Sequence, residues 1–81
     1  MYYIYVLKSE KDGKMYVGCT SDIENRLHYH NSGKVLSTKG RRPFNLIFTE
    51  AYADKYQAFE KERYYKTAKG KKEIKKKIEN S

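Results

Sequence analysis

The sequence predicts an α+β fold: a three-stranded, mostly antiparallel sheet flanked by helices, in the order β-β-α-β-α-α. Three observations carry that expectation. Residues 2–7 and 14–19 are β-branched and aromatic runs on either side of an Asp12-Gly13 turn, the pattern of a hairpin. Residues 44–49 repeat that composition after a basic loop. The remaining stretches open on helix-capping residues and carry apolar side chains at helical spacing.

The hairpin has a testable register. A two-residue Asp12-Gly13 loop in a type I′ turn pairs Lys11 with Lys14, Glu10 with Met15 and Ser9 with Tyr16. Side chains alternate along a strand, so Tyr5, Leu7 and Ser9 then share a face with Tyr16. A register shifted by an even number keeps Tyr5 and Tyr16 together, and an odd slip separates them.

Ser21 and Glu24 form a capping box for the first helix, and Gly33 suits its C-terminal stop. On that helix Ile23, Leu27 and His30 share a face, with Arg26 beside His30. Residues 33–44 form a polar, basic loop holding the only proline, Pro43. The third strand supplies Leu46, Ile47 and Phe48. Asp54 and Gln57 form a second capping box, for a helix running to about Ala68 and broken at Gly70. The stretch Lys71–Asn80 is helical by propensity and docks through Ile74 and Ile78.

The chain of 81 residues is expected to be one domain, 1–81, with a modest core. Its nine tyrosines and three phenylalanines supply much of the buried area. The single cysteine, Cys19, excludes an internal disulfide and a cysteine-built zinc site, and suits a reducing cytoplasm. Two histidines, His28 and His30, make a zinc-ligand set hard to assemble. There is no signal-peptide pattern and no apolar run of spanning length, so no membrane partner is expected. A net charge of +8 and a pI near 9.6 point to a polyanion, with nucleic acid first and a ribosomal or membrane surface as the alternative.

A small set of polar side chains could carry chemistry. On the second helix Glu62 lies near Ala58, Phe59 and Tyr65, while Glu60 lies roughly opposite with Tyr56 and Tyr64. If Ala58, Phe59 and Tyr65 pack on the sheet, Glu62 points inward. A buried carboxylate is costly unless paired or bound to a cation. Glu62 is therefore either a metal ligand or one half of a structural ion pair. Arg26 has the planar fork that matches phosphate oxygens, or is an exposed charge paired with Asp22. Tyr5 and Tyr16 could activate or position water, or pack with their hydroxyls at the rim. A phenol acts as a base only where cationic neighbours lower its pKa from about 10. His30 could assist a tyrosine in proton transfer, or simply pack. His28 points away from that face.

Tyr3-Ile4-Tyr5, Tyr16-Val17-Gly18, Arg26, His30 and Ala58-x3-Glu62 follow one another in the order of the GIY-YIG nuclease superfamily, which this chain resembles. The likeness is closest to small stand-alone bacterial GIY-YIG proteins, similar to the UvrC N-terminal nuclease domain. It runs through Tyr16–Thr20, His30–Lys34, Arg42-Pro43-Phe44 with Leu46, and Glu62-x3-Lys66-Thr67, and covers nearly the whole chain. The resemblance implies the GIY-YIG endonuclease fold and hydrolysis of a DNA phosphodiester with a single Mg2+ (or Mn2+), in DNA repair or recombination. It implies Tyr5 as base, Tyr16 as water or metal-shell partner, Arg26 on the phosphate, His30 in support and Glu62 on the metal. The chain departs from the family at three places. Tyr3 stands where the family name has glycine. Cys19 stands where the UvrC domain has a lysine, leaving Lys8 or Lys34 as substitutes. Ile74 occupies the expected place of an asparagine.

Lys34, Lys39, Arg41, Arg42 and Lys66 are the expected nucleic-acid contacts. Seven of the last sixteen residues are lysine, and such charges follow a phosphate backbone without reading sequence. No recognition helix or zinc module is visible, so selectivity for DNA structure is expected, with RNA an alternative partner. A partner protein or a homodimer would supply further substrate choice. The competing function is a non-catalytic nucleic-acid-binding module that keeps the nuclease fold.

Overall fold

The computed structural model describes residues 1–36 and 38–80. The elements are β1 (Tyr2–Ser9), β2 (Met15–Thr20), α1 (Ile23–Ser32), a 3-10 turn (Lys39–Arg41), β3 (Phe44–Tyr52), α2 (Lys55–Tyr65) and α3 (Ala68–Glu79). The strands form one antiparallel sheet in the order β2-β1-β3. The α+β architecture expected from the sequence is therefore the observed one.

The hairpin register differs from the expected one by two residues. Leu7 faces Tyr16 and Lys8 faces Met15. The loop is longer than a type I′ turn: the Ser9 amide donates to the Lys14 carbonyl at 3.0 Å, and the Gly13 amide to the Ser9 carbonyl at 3.0 Å. Gly13 adopts φ +72°, and among the described residues no non-glycine residue has a positive φ, so Asp12 does not take the left-handed position that type I′ requires. Asp12 is held otherwise. Its carboxylate accepts from the Lys14 amide and from Arg41 Nε, each at 2.9 Å, and the Ser9 hydroxyl accepts from the Lys11 and Asp12 amides. Because the shift is even, Tyr5 and Tyr16 stay on one face.

The central strand β1 is buried on both sides. Ile4 and Val6 face one core with Tyr65 and Ile74, onto which Tyr52, Tyr64 and Ile78 pack. Tyr5 and Leu7 face the other with Phe44, joined by the half-buried Tyr16 and Leu27. Helices α2 and α3 thus cover one side and α1 the other.

Helix boundaries correct three expectations. The N-cap of α1 is Asp22, whose Oδ1 accepts from the Asn25 amide at 3.1 Å; Ser21 is exposed and makes no cap. Gly33 ends α1 as expected, at φ +82°, with the Lys34 amide returning to the Tyr29 carbonyl, as a Schellman closure requires. Asp54 caps α2 through the Tyr56 amide, but α2 stops at Tyr65 rather than Ala68. Gly70 does not break a helix. It lies in the first turn of α3, where the Thr67 hydroxyl accepts its amide at 3.0 Å. A Cβ on Gly70 would come within 1.8 Å of the Tyr64 carbonyl oxygen, so its bare Cα lets α3 fold back tightly on α2.

On that same side, Glu50 accepts from Tyr52 and Tyr65 hydroxyls and from Lys77 Nζ, which also reaches the Tyr65 hydroxyl at 2.7 Å. This cluster ties β3, α2 and α3 together. Phe59 lies outside this core: it is 43% exposed and makes an edge-type ring contact with Tyr2. Ala58 and Tyr65 form the inward stripe of α2.

Candidate active site

The sheet face under α1 gathers Tyr5, Tyr16 and His30. Tyr5 projects from the middle of β1 and Tyr16 from β2, with ring centroids 6.4 Å apart. His30, in the last turn of α1, sits 4.8 Å from the Tyr16 ring and 5.9 Å from the Tyr5 ring. The Tyr5 hydroxyl lies 3.1 Å from His30 Nε2. Tyr5 is 3% and His30 1% exposed. The other imidazole nitrogen, Nδ1, lies 2.8 Å from the Thr38 hydroxyl.

Local structure holds this arrangement. Directly opposite Tyr5 on β2 is Gly18, whose Cβ, if present, would stand 2.3 Å from Tyr5 Cζ and Oη. The glycine of the second motif is the floor on which the first motif's tyrosine lies. Asn31, next to His30, donates to the Phe44 carbonyl at 3.2 Å and accepts the Phe44 amide at 2.7 Å. These bonds pin the end of α1 to the start of β3 and bring the Phe44 ring to 5.9 Å from His30.

Glu62 joins from α2. Its carboxylate pairs with Lys66 Nζ at 2.9 Å, and that ammonium also stands 5.8 Å over the Tyr16 ring. Glu62 is half-buried, and its charge is felt by both Tyr5 and Cys19. Those two side chains point to opposite faces of the sheet, so Glu62 acts from beside the β2 edge. Arg26 is exposed, and its charge is felt by Tyr5 and His30. Among the described residues it has no ion pair; Asp22, its expected alternative partner, is spent on capping α1.

Burial decides the protonation states. It pushes the Tyr5 phenol above its ordinary 10.0, with Tyr16 adding to the effect and Arg26 opposing it. The expectation that cationic neighbours would lower this pKa is not met by the protein's own charges: Arg26 is too weak an opponent of burial. Burial, then Arg26, pushes His30 below its ordinary 6.5. Both groups are neutral at pH 7. Burial, then Glu62, raises the Cys19 thiol.

Among the described residues no cluster of three or more His, Cys, Asp or Glu side chains could hold a metal ion. A closed zinc-type site is thus not built here. A single half-buried carboxylate does fit Mg2+, which keeps several waters and binds through one or two carboxylates plus substrate phosphates. In this structure the carboxylate is instead paired with the Lys66 ammonium one helical turn on, the ion-pair alternative that the sequence left open for Glu62.

The expected nucleic-acid contacts divide. Lys34, which lies over the Tyr29 ring, and Lys39 are exposed near the His30 end of α1. Arg42 is exposed and donates through Nε to the Lys39 carbonyl. Arg41 is engaged by Asp12 at 2.9 Å and by the Phe44 ring. Lys66 belongs to the Glu62 cluster. Thr38, fully buried beside His30, gave no sequence signal, being one more polar residue in a basic loop. An open cleft of about 650 Å³ between Tyr52, Gln57, Glu60, Lys61, Tyr64 and Glu73 holds none of the expected site residues.

Residues 1–77 match the family described as the GIY-YIG catalytic domain. The chain belongs to the GIY-YIG nuclease family. The chain is similar to a UPF0213 protein of Bacillus pumilus, 45% identical over 82% of this chain and 67% of that protein. A UPF0213 protein of Staphylococcus saprophyticus is 40% identical over 91% of this chain and 90% of its own length. The solution NMR structure of a UPF0213 protein from Bacillus halodurans superposes with a TM-score of 0.55 at 36% identity, over 91% of this chain and 82% of that one. The β1 and β2 stretches whose tyrosines meet at His30 lie within the matched residues.

Proposed function

We propose that this GIY-YIG domain, residues 1–81, is a metal-dependent endonuclease hydrolysing DNA phosphodiester bonds. The observation that carries the reading is the contact of Tyr5, Tyr16 and His30 on one sheet face, where the Arg26 charge is felt and beside which the Glu62 carboxylate pairs with Lys66.

Tyr5 is the base that takes a proton from the attacking water, supported by His30. Tyr16, less buried and bordering the Glu62–Lys66 pair, orients that water. Arg26 grips the scissile phosphate through its planar fork, which matches two phosphate oxygens at once. Glu62 would hold Mg2+ or Mn2+, which when bound stabilises charge developing on the phosphate. Lys34, Lys39, Arg42 and Lys66 hold the flanking backbone. Such contacts read no sequence, so the enzyme selects DNA structure, in repair or recombination. It acts in the cytoplasm, with a partner protein or a second copy refining substrate choice.

The test is cleavage of duplex, single-stranded, nicked, flap and branched DNA, with Mg2+, with Mn2+ and with chelator. Metal-dependent cleavage that Glu62→Ala and Arg26→Ala each abolish is expected. Undiminished cleavage by the Glu62→Ala protein would overturn the site. Salt-sensitive binding to every substrate without cleavage would instead favour a non-catalytic binding module.

A further inference from the structure

We propose that Thr38 is a positioning residue that fixes the tautomer of His30, so that His30 Nε2 is the acceptor for the Tyr5 proton. The inference rests on the nuclease reading for its consequence, but not for its geometry.

Hydrogen-bond accounting leads to it. Three buried groups stand in line: the Tyr5 hydroxyl 3.1 Å from His30 Nε2, and His30 Nδ1 2.8 Å from the Thr38 hydroxyl. The Thr38 hydroxyl in turn lies 3.3 Å from the Val35 carbonyl oxygen. A neutral imidazole carries one N–H, so two arrangements exist. In the first, Tyr5 donates to Nε2, Nδ1–H donates to Thr38, and Thr38 donates to the Val35 carbonyl. Every donor is used. In the second, Thr38 donates to Nδ1 and Nε2–H donates to Tyr5. The Tyr5 hydroxyl hydrogen then has no acceptor among the described residues, in a side chain that is 3% exposed. A buried donor left without an acceptor is disfavoured, so the first arrangement holds. In that arrangement Thr38 points its hydrogen at the Val35 carbonyl, leaving its lone pairs for His30.

The functional consequence follows. As a water O–H breaks, its proton passes to Tyr5 Oη while the Tyr5 O–H proton passes to His30 Nε2. The resulting hydroxide attacks phosphorus, the P–O bond to the leaving oxygen breaks, and His30 is left as an imidazolium. Nδ1–H donates to Thr38 before and after the transfer, so nothing needs to rotate. Tyr5 therefore need not be a phenolate at rest, which agrees with its burial and with a neutral His30. In the opposite tautomer, Nε2 already carries a proton and cannot take one.

The experiment reads the tautomer directly. In long-range 1H–15N correlation spectra of the full chain, His30 Nδ1 is expected to be pyrrole-type and Nε2 pyridine-type near pH 7.5, with exposed His28 as internal comparison. Thr38→Val keeps the side chain's shape but removes the hydroxyl. It should shift His30 toward the Nε2–H form and lower kcat by about ten- to a hundredfold with KM little changed. Thr38→Ser should restore both. A wild-type His30 protonated on Nε2, or a Thr38→Val protein with unchanged tautomer or unchanged kcat, overturns the proposal. A wild-type protein that cleaves no DNA would overturn the nuclease reading, while the spectra still decide the Thr38 assignment.

Discussion

Tyr5 and Gly18 are cross-strand partners in which the hydroxyl end of the tyrosine ring lies over a bare Cα, leaving 2.3 Å where a Cβ would stand. Replacing Gly18 with alanine must move the ring or bend the hairpin. Because Tyr5 is locked to His30, neither motion is free. Gly18→Ala should cost about 1–3 kcal/mol of stability, read by urea denaturation, and should reduce cleavage more than the lost stability explains. A Gly18→Ala protein with wild-type stability and rate would show that the ring is not seated there.

Gly70 makes the corresponding contact between helices. By propensity alone, Gly70→Ala should gain about 0.5–1 kcal/mol in α3. The Tyr64 carbonyl oxygen, 1.8 Å from the new Cβ, is backbone and cannot swing aside. Net destabilisation is therefore expected, measurable as a lower melting temperature.

Glu50 predicts an acid-sensitive step. Burial alone would raise its carboxyl, but hydrogen bonds from Tyr52, Lys77 and Tyr65 prevail and hold it below its ordinary 4.5. A carboxyl lowered by folding stabilises the fold above its unfolded pKa. That contribution is lost as pH falls from about 4.5 through the folded value. Glu50→Gln should be less stable than wild type at pH 7, and the gap should narrow as pH drops through this range, followed by thermal melts. A gap that widens in acid would contradict the network.

Cys19 reports on Glu62 without any cleavage assay. Burial and the Glu62 charge both raise the thiol pKa, so its thiolate fraction at pH 7.5 is small and alkylation by iodoacetamide should be slow. Removing the charge in Glu62→Gln should speed the reaction severalfold in metal-free buffer. An unchanged rate would mean that Glu62 does not face this side of β2.

How much of this was legible in the residues alone differs from element to element. The pairing of Tyr5 with Tyr16 survived an incorrect loop, because strand alternation has a period of two and the observed register differs by two residues. Glu62 was legible as a polar residue beside the apolar stripe of α2, although Phe59 is not part of that stripe. Gly70 was misread because local propensity sees a helix breaker, whereas its purpose is a close approach to a backbone distant in space. Thr38 left no trace, since its role depends on a loop folding back under a histidine.

The sequence by itself determined the order of the elements and the alternation of β1 that sends Tyr5 one way and Ile4 and Val6 the other. Those features rest on local periodicity and on residue chemistry, which are carried by neighbours in the chain. Tertiary structure alone decided the hairpin register, the engagement of Arg41 by Asp12, the protonation states of Tyr5 and His30, and the line from Thr38 through His30 to Tyr5. Each of these depends on burial and on hydrogen bonds between residues far apart in sequence, so the packed molecule decides them.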